Sequence, residues 1–385
     1  MTMARTTAGS ALDIDALLAD HAKKIIVCCG AGGVGKTTTA AALGLRAAES
    51  GRRVVVLTID PALRLAQSLG LTALDNTPRP VQGVDTAAGG SMAAMMLDMK
   101  RTFDEVVEQH ASPEKAAQIL ANPFYIAVSS SFAGTQEYMA MEKLGQLRAQ
   151  AATDDQWDLI IVDTPPSRSA LDFLDAPKRL GSFLDGRFIR ILMAPAKAGG
   201  RAYLKAATAT LSVAMGVMTK VLGGELLRDV QTFVAALDTM FGGFRERADQ
   251  TYALLQDDET AFVVVASPDR DALREAAFFV ERLGQERMPL AGVVVNRVQF
   301  VAGRLTRARA QDAAEALEAG GARSSATAGL LRLHTDLATS AERHQAQIGR
   351  FRATNPGVAL TQVPAAARDI HDLDGLRAVG ADLAG

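Results

Sequence analysis

Short apolar runs alternate along the chain with longer stretches whose apolar positions recur at helical spacing. The runs are KIIVCC (24–29), RVVVLT (53–58), AMMLD (94–98), WDLIIVD (157–163), AFVVVA (261–266), AGVVVN (291–296) and GVALTQV (357–363). Each is continuous in its hydrophobicity rather than alternating, which predicts strands covered on both faces. Strands separated by helices return to the same end of a sheet and pair in parallel. The pattern therefore predicts an α/β fold with one doubly wound, mainly parallel sheet, its ligand site at the carboxyl ends of the strands.

Two intervals break this rhythm, at about 99–150 and 178–258, and both read as helical insertions in a single domain over residues 1–385. The second carries Leu204, Leu211, Met215, Met218, Leu222, Leu226, Leu227, Phe233, Leu237, Met240 and Phe244 among polar residues, with Gly223–Gly224 and Gly242–Gly243 as expected breaks. Flexible, polarizable methionines suit an adaptable groove for a hydrophobic protein client. The same side chains also suit ordinary packing of helix on helix, and both readings stand at this point.

Composition narrows the function classes. At 385 residues and 48% apolar the chain can bury a large core, and 41 Lys+Arg against 43 Asp+Glu leave a net charge of −2. Such a balance offers no global basic field, so nucleic acid is not an expected partner. Cys28 and Cys29 are adjacent, a spacing that suits neither a zinc site nor a disulfide framework, and a reducing cytoplasm is the expected setting. The N-terminal stretch has no basic region and is interrupted by Asp13, Asp15 and Asp20, unlike a secretory signal. The longest weakly polar stretch, 206–219, lies between Lys205 and Lys220 and is too short to span a bilayer, so no transmembrane segment is expected.

The sharpest chemical signal is GAGGVGKTT, which follows the first strand and opens the helical pattern TTTAAALGLRAAES. That is a P-loop in the context its mechanism requires, and it makes the fold a P-loop NTPase. Gly30, Gly32, Gly33, Val34, Gly35, Lys36, Thr37 and Thr38 are the expected nucleotide-binding residues. The loop amides and helix N-terminus would cradle the phosphates, Lys36 would bridge the β- and γ-phosphates of ATP, and the Thr37 hydroxyl would ligate Mg²⁺. Asp60 ends the next strand, where a carboxylate can orient or deprotonate water beside the metal, or simply cap the following helix. Asp163 ends WDLIIVD, where it would reach Mg²⁺ through water, with 164–169 as a γ-phosphate-sensing loop; a strand-terminal cap is the alternative. Lys36, Asp60 and Asp163 are thus the catalytic candidates, and Thr37, Asp60 and Asp163 the metal candidates.

Together these segments resemble the family containing the arsenite-pump ATPases and the ATPases that target tail-anchored membrane proteins. IDPALRL resembles its first switch, DTPPSRSALDFL its second, and GTQEYMAMEKL (134–144) its acidic segment. AGVVVN is similar to the strand whose Asn contacts adenine, here Asn296, and VPAAARDIHDLDGL to its adenine-side closing loop, beginning at Val363 and Pro364. The resemblance implies an ATPase whose Asp60 activates water, whose nucleotide state opens and closes a dimer, and whose Glu137 faces the partner subunit or is a solvated helix residue.

Departures from the family pattern matter. The signature lysine after the first loop glycine, which acts across the dimer, is Ala31 here. Leu63, Arg64, Ala66 and Gln67 stand where the family has His, Asn, Ser and Asp, and Arg168–Ser169 replace Gly–His. Arg64 or Arg168 could substitute for the missing charge or form a structural ion pair. The loss of that lysine favours a heteromer with a homologous ATPase subunit over a homodimer. A weakly hydrolysing regulatory or scaffolding subunit is the alternative, and a partition or positioning ATPase a further one. Neither cysteine can leave the central strand to build a thiolate cluster, so arsenite is not an expected substrate.

Overall fold

The computed structural model describes residues 11–60, 64–71, 73–123, 125–126, 129, 135–154, 156–165, 246–301, 303, 305–319 and 325–385. Two compact units hold them: Met1–Met96, Asp154–Ala170 and Leu255–Gly385 form one, Leu97–Thr153 and Leu171–Leu254 the other.

The first unit is built on a sheet of eight strands among the described residues: β1 (Ile25–Gly30), β2 (Arg53–Thr58), β3 (Arg79–Pro80), β4 (Ser91–Met96), β5 (Leu159–Asp163), β6 (Thr260–Ala266), β7 (Leu290–Val298) and β8 (Leu360–Pro364). Their order is β3-β4-β2-β5-β1-β6-β7-β8, and every pairing is parallel except β3 with β4. This is the doubly wound, mainly parallel sheet expected from the sequence. Its helices are α1 (Ile14–Ala19), α2 (Lys36–Glu49), α3 (Arg64–Ser68), α7 (Arg270–Gln285), α8 (Arg307–Ala319), α9 (Ser325–Thr354) and α10 (Leu373–Ala384), while α4 (Met99–His110), α5 (Pro113–Leu120) and α6 (Thr135–Asp154) lie at 99–154.

Both faces of the central strands are covered, as their unbroken apolar runs require. Ile26, Cys28, Val54, Val56, Ile161, Val263 and Val265 share a core with α2 and α10, and the intervening Ile25, Val27, Val55, Leu57, Ile160 and Val162 are buried as well. α7 packs on β6, β7 and β1 through a stripe that includes Leu273, Ala276, Phe279 and Leu283. The chain runs from β1 outward through β2 to β4, returns to place β5 beside β1, and then adds β6, β7 and β8 on the other side. This reversal beside β1 opens a crevice at the carboxyl ends of the strands.

Three details differ from the sequence pattern, the first being that the strand expected at 357–363 begins at Leu360, because Gly357 lies in the turn that follows α9. The strand expected at 94–98 is Ser91–Met96, because Ser91 to Met96 pair residue by residue with β2 while Asp98 leaves the strand to cap α4, accepting from Arg101 N at 2.9 Å. Ala93 is a poor strand former and concealed the start. β3 is an additional two-residue antiparallel edge pair, which tolerates Pro80 because an edge strand need not donate on its outer side.

In the second unit, α4, α5 and most of α6 realise the helical periodicity of the interval from 99 to 150. Phe103 meets Tyr125 edge to face at 5.5 Å, and the Tyr125 hydroxyl donates to Asp104 at 2.5 Å. Arg247 donates to Glu142 at 2.9 Å. Of the interval 178–258, residues 246–258 are described, with 246–256 helical; Leu204, Leu211, Met215, Met218, Leu222, Leu226, Leu227, Phe233, Leu237, Met240, Phe244 and both Gly pairs lie outside the described residues.

Candidate nucleotide site

The loop between β1 and α2 is set by its ends. Gly30 has φ +146°, and a Cβ there would strike the Val265 carbonyl of the adjacent strand. Gly35, at φ +97°, is the N-cap residue of α2, and a Cβ there would strike the Asn296 side-chain amide. Only glycine accommodates both the backbone turn and the approach. No side chain caps α2, so the amides of its first turn are directed into the loop together with the positive end of the helix dipole. Lys36, the first helical residue, is 7% exposed and donates from Nζ to the Ala31 carbonyl at 2.8 Å. The arrangement is an anion cradle with a cation folded over it.

Strand register brings the second element to the same place. Asp163 ends β5 opposite Thr58 of β2 and Cys28 of β1. It is fully buried, and its Oδ2 accepts from Thr37 Oγ1 at 2.7 Å and Thr58 Oγ1 at 2.9 Å. Its Oδ1 is buried without a hydrogen-bond partner among the described residues. Burial pushes the Asp163 carboxyl up to about 6, against the pull of the two hydroxyls and the Lys36 ammonium. Burial likewise lowers the Lys36 ammonium, opposed chiefly by Asp163. Asp60 lies two residues beyond the end of β2, half-buried, with its carbonyl 3.4 Å from Thr58 Oγ1.

These groups fit Mg²⁺. A hard cation takes oxygen ligands, and the orphaned Asp163 Oδ1 beside the Thr37 hydroxyl supplies an anionic and a neutral oxygen. Among the described residues no cluster of three or more His, Cys, Asp or Glu could hold a metal by itself, so a cation here would take the rest of its shell from phosphate oxygens and water.

The remaining candidates fall around the loop. Asn296, two residues before the end of β7, donates from Nδ2 to the Val34 carbonyl at 2.9 Å. Val363 turns into the core on the α2 side and Pro364 is exposed at the end of β8. Gly32 and Gly33 are exposed at the loop tip, whereas Thr37 and Thr38 are half-buried in the first turn of α2. The Ala31 side chain sits in the core, 8% exposed. Arg64 begins α3 and Glu137 lies in α6, but their side chains, together with Leu63, Arg168 and Ser169, lie outside the described residues.

Two further residues belong to the site. Thr58 holds Asp163 from the neighbouring strand, and Arg297 donates from Nη1 to the Gly33 carbonyl at 2.9 Å. Thr58 reads as an ordinary strand former until the β2–β5 register is known. Arg297 lines a cavity of about 440 Å³ beside the loop tip with Ala31, Gly33, Val34, Asp269 and His344. Cys28 and Cys29 are buried in β1; burial pushes the Cys29 thiol up to about 12 and Cys28 well above its ordinary value.

With this geometry in place, comparison with known proteins gives a consistent picture. The family described as anion-transporting ATPase matches residues 23–304. An arsenical pump-driving ATPase of Acidiphilium multivorum is 31% identical over 158 residues, 40% of this chain and 26% of its own length. ATPase GET3C of Arabidopsis thaliana is 24% identical over 311 residues, 76% of this chain and 71% of its own. ATPase ARSA1 of Chlamydomonas reinhardtii is 24% identical over 309 residues, 73% of this chain and 36% of its own. The chain therefore spans well under half the length of the pump-driving and ARSA1 relatives and about seven-tenths of GET3C.

Proposed function

The chain belongs to the anion-transporting ATPase family, and from that premise we propose that it is a Mg²⁺-dependent ATPase whose nucleotide state governs its association with a protein partner. The observation that carries this reading is the trio of buried Lys36, half-buried Thr37 and buried Asp163 at the foot of an uncapped helix. The loop amides and Lys36 bind the polyphosphate, and Lys36 balances charge on the oxygen between the β- and γ-phosphorus as that bond breaks. Thr37 and Asp163 would hold Mg²⁺, which when bound neutralises phosphate oxygens. Asp60 orients the attacking water and takes its proton as the water oxygen bonds to the γ-phosphorus, and ADP leaves with the bridging-bond electrons. Asn296, Val363 and Pro364 complete the nucleoside side.

Residues 1–385 act in this reading as one ATPase domain with helical insertions at about 99–150 and 178–258, working in the cytoplasm. The insertions serve a hydrophobic protein client, as the resemblance to targeting ATPases supports. Among the described residues no helix is long and apolar enough to cross a membrane. The buried thiols of Cys28 and Cys29 favour a protein client over a soft metalloid. Because Ala31 offers only a buried methyl where the family acts in trans with an ammonium, the preferred assembly is a heteromer with a homologous subunit that keeps the lysine. The same feature favours, as a second reading, a regulatory subunit that binds ATP and hydrolyses it slowly. Asp60→Asn is the test: nucleotide affinity should stay within about twofold, while turnover falls by about a hundredfold, in the range of general-base removal. Wild-type turnover by Asp60→Asn would remove Asp60 from the mechanism.

A further inference from the structure

Asn296 and Arg297 are consecutive, and consecutive side chains of a regular strand leave on opposite faces. Both nevertheless end on the same loop: Asn296 Nδ2 donates to the Val34 carbonyl and Arg297 Nη1 to the Gly33 carbonyl, each at 2.9 Å. Arg297 has φ +60°, in the left-handed region that non-glycine residues seldom occupy, and the β7–β8 register shifts between Val295 and Val298. Such an irregularity re-aims one side chain next to a site. Asn296 Oδ1 accepts from Arg297 N at 2.9 Å, and just beyond, Gln299 N donates to His344 Nδ1 at 3.1 Å, so the bend is fastened on both sides.

We infer that Asn296 and Arg297 form a two-point clamp on the outer edge of the phosphate loop, with Arg297 a positioning residue that presets the loop for a nucleoside polyphosphate. A peptide unit is planar and trans, so its carbonyl and the following N–H point in opposite directions. Holding the carbonyls of Gly33 and Val34 outward aims the N–H groups of Val34 and Gly35 to the other side, into the cradle. An unclamped glycine-rich loop would sample many orientations and lose entropy when phosphate selects one. The guanidinium also brings positive charge to a loop tip where Ala31 contributes none. Arg297 touches the loop and not the reacting atoms, so its effect belongs in binding rather than in the chemical step.

This inference rests on the nucleotide reading above, and its test separates the two. Arg297→Gly keeps a residue tolerant of φ +60° while removing the guanidinium; Arg297→Lys keeps a cationic donor. Binding of ADP with Mg²⁺ and steady-state ATP turnover are measured on the full chain, with the melting temperature of the unliganded protein alongside. Arg297→Gly should raise the ADP Kd and the KM for ATP on the order of fivefold, as expected for one charge-assisted hydrogen bond. It should leave kcat within about twofold and the unliganded melting temperature at or above wild type, and Arg297→Lys should recover part of the affinity. Wild-type binding of ADP with equal affinity in Arg297→Gly would overturn the clamp alone. Equal losses in both variants with a lowered melting temperature would also overturn it, by reducing Arg297 to a structural residue. No ADP binding by the wild-type chain would overturn the nucleotide reading and the clamp together.

Discussion

Replacing Asp163 by Asn isolates the cost of keeping an ionised carboxylate buried in the strand ends. The folded protein holds this acid at about 6, against 3.8 for an ordinary aspartate, because burial outweighs the hydroxyls of Thr37 and Thr58 and the Lys36 ammonium. A raised acid binds its proton more tightly when folded, so its contribution to stability is fully present below pH 3.8 and is lost as the pH rises through about 6. Above that window the ionised form carries a deficit on the order of 3 kcal/mol. Asparagine removes the ionisation, and Thr37 and Thr58 can rotate their hydroxyls to meet either end of the amide. Urea unfolding of the two proteins, without Mg²⁺ or nucleotide, should therefore show near-equal stability at about pH 4 and an advantage for Asp163→Asn growing to at most about 3 kcal/mol at pH 7.5. The gain should be accompanied by loss of Mg²⁺-dependent nucleotide affinity, since stability and function oppose each other at such a site. A stability difference that stays flat from pH 4 to pH 7.5 would refute the burial argument.

Two other substitutions probe the neighbours of this group. Thr58→Val preserves shape but removes the hydroxyl 2.9 Å from Asp163 Oδ2, so the acidic limb of Mg²⁺-nucleotide binding should move to higher pH; an unchanged or lowered limb in a binding titration would contradict the assigned role. Ala31→Lys should raise ATP turnover of the isolated chain on the order of tenfold or more if the missing charge limits it, and brisk wild-type turnover unaffected by the change would show that the lone chain already supplies that charge.

The sheet was legible because parallel strands covered on both faces cannot alternate: KIIVCC, LIIVD and FVVVA could be little else than central strands between helices. The turn from β1 into α2 was legible because GAGGVGKTT has the glycine spacing of a phosphate loop, and the strand, the positive-φ glycines and the helix fall where that pattern puts them. The start of β4 was hidden by Ala93, whose place in the sheet depends on pairing with β2 rather than on its own preference. Thr58 and Arg297 were hidden for a different reason. The first acquires its partner through the β2–β5 register, and the second through a left-handed bend in β7, both products of tertiary contact. Asn296 was expected near the nucleotide base from family resemblance; its hydrogen bond to the Val34 carbonyl is a further contact that the sequence did not announce.

The proposed activity depends above all on an exchange at Lys36, whose contact with the Ala31 carbonyl would give way to a nucleotide polyphosphate. Its most direct test is calorimetric titration of the full chain with ATP and Mg²⁺ beside Lys36→Ala, followed by phosphate release from the same samples. One site is expected in the wild type, Mg²⁺-dependent, with affinity lowered at least about tenfold in Lys36→Ala, as loss of a charge-assisted contact implies. Equal affinity in the two proteins, or no binding by the wild type, would contradict it.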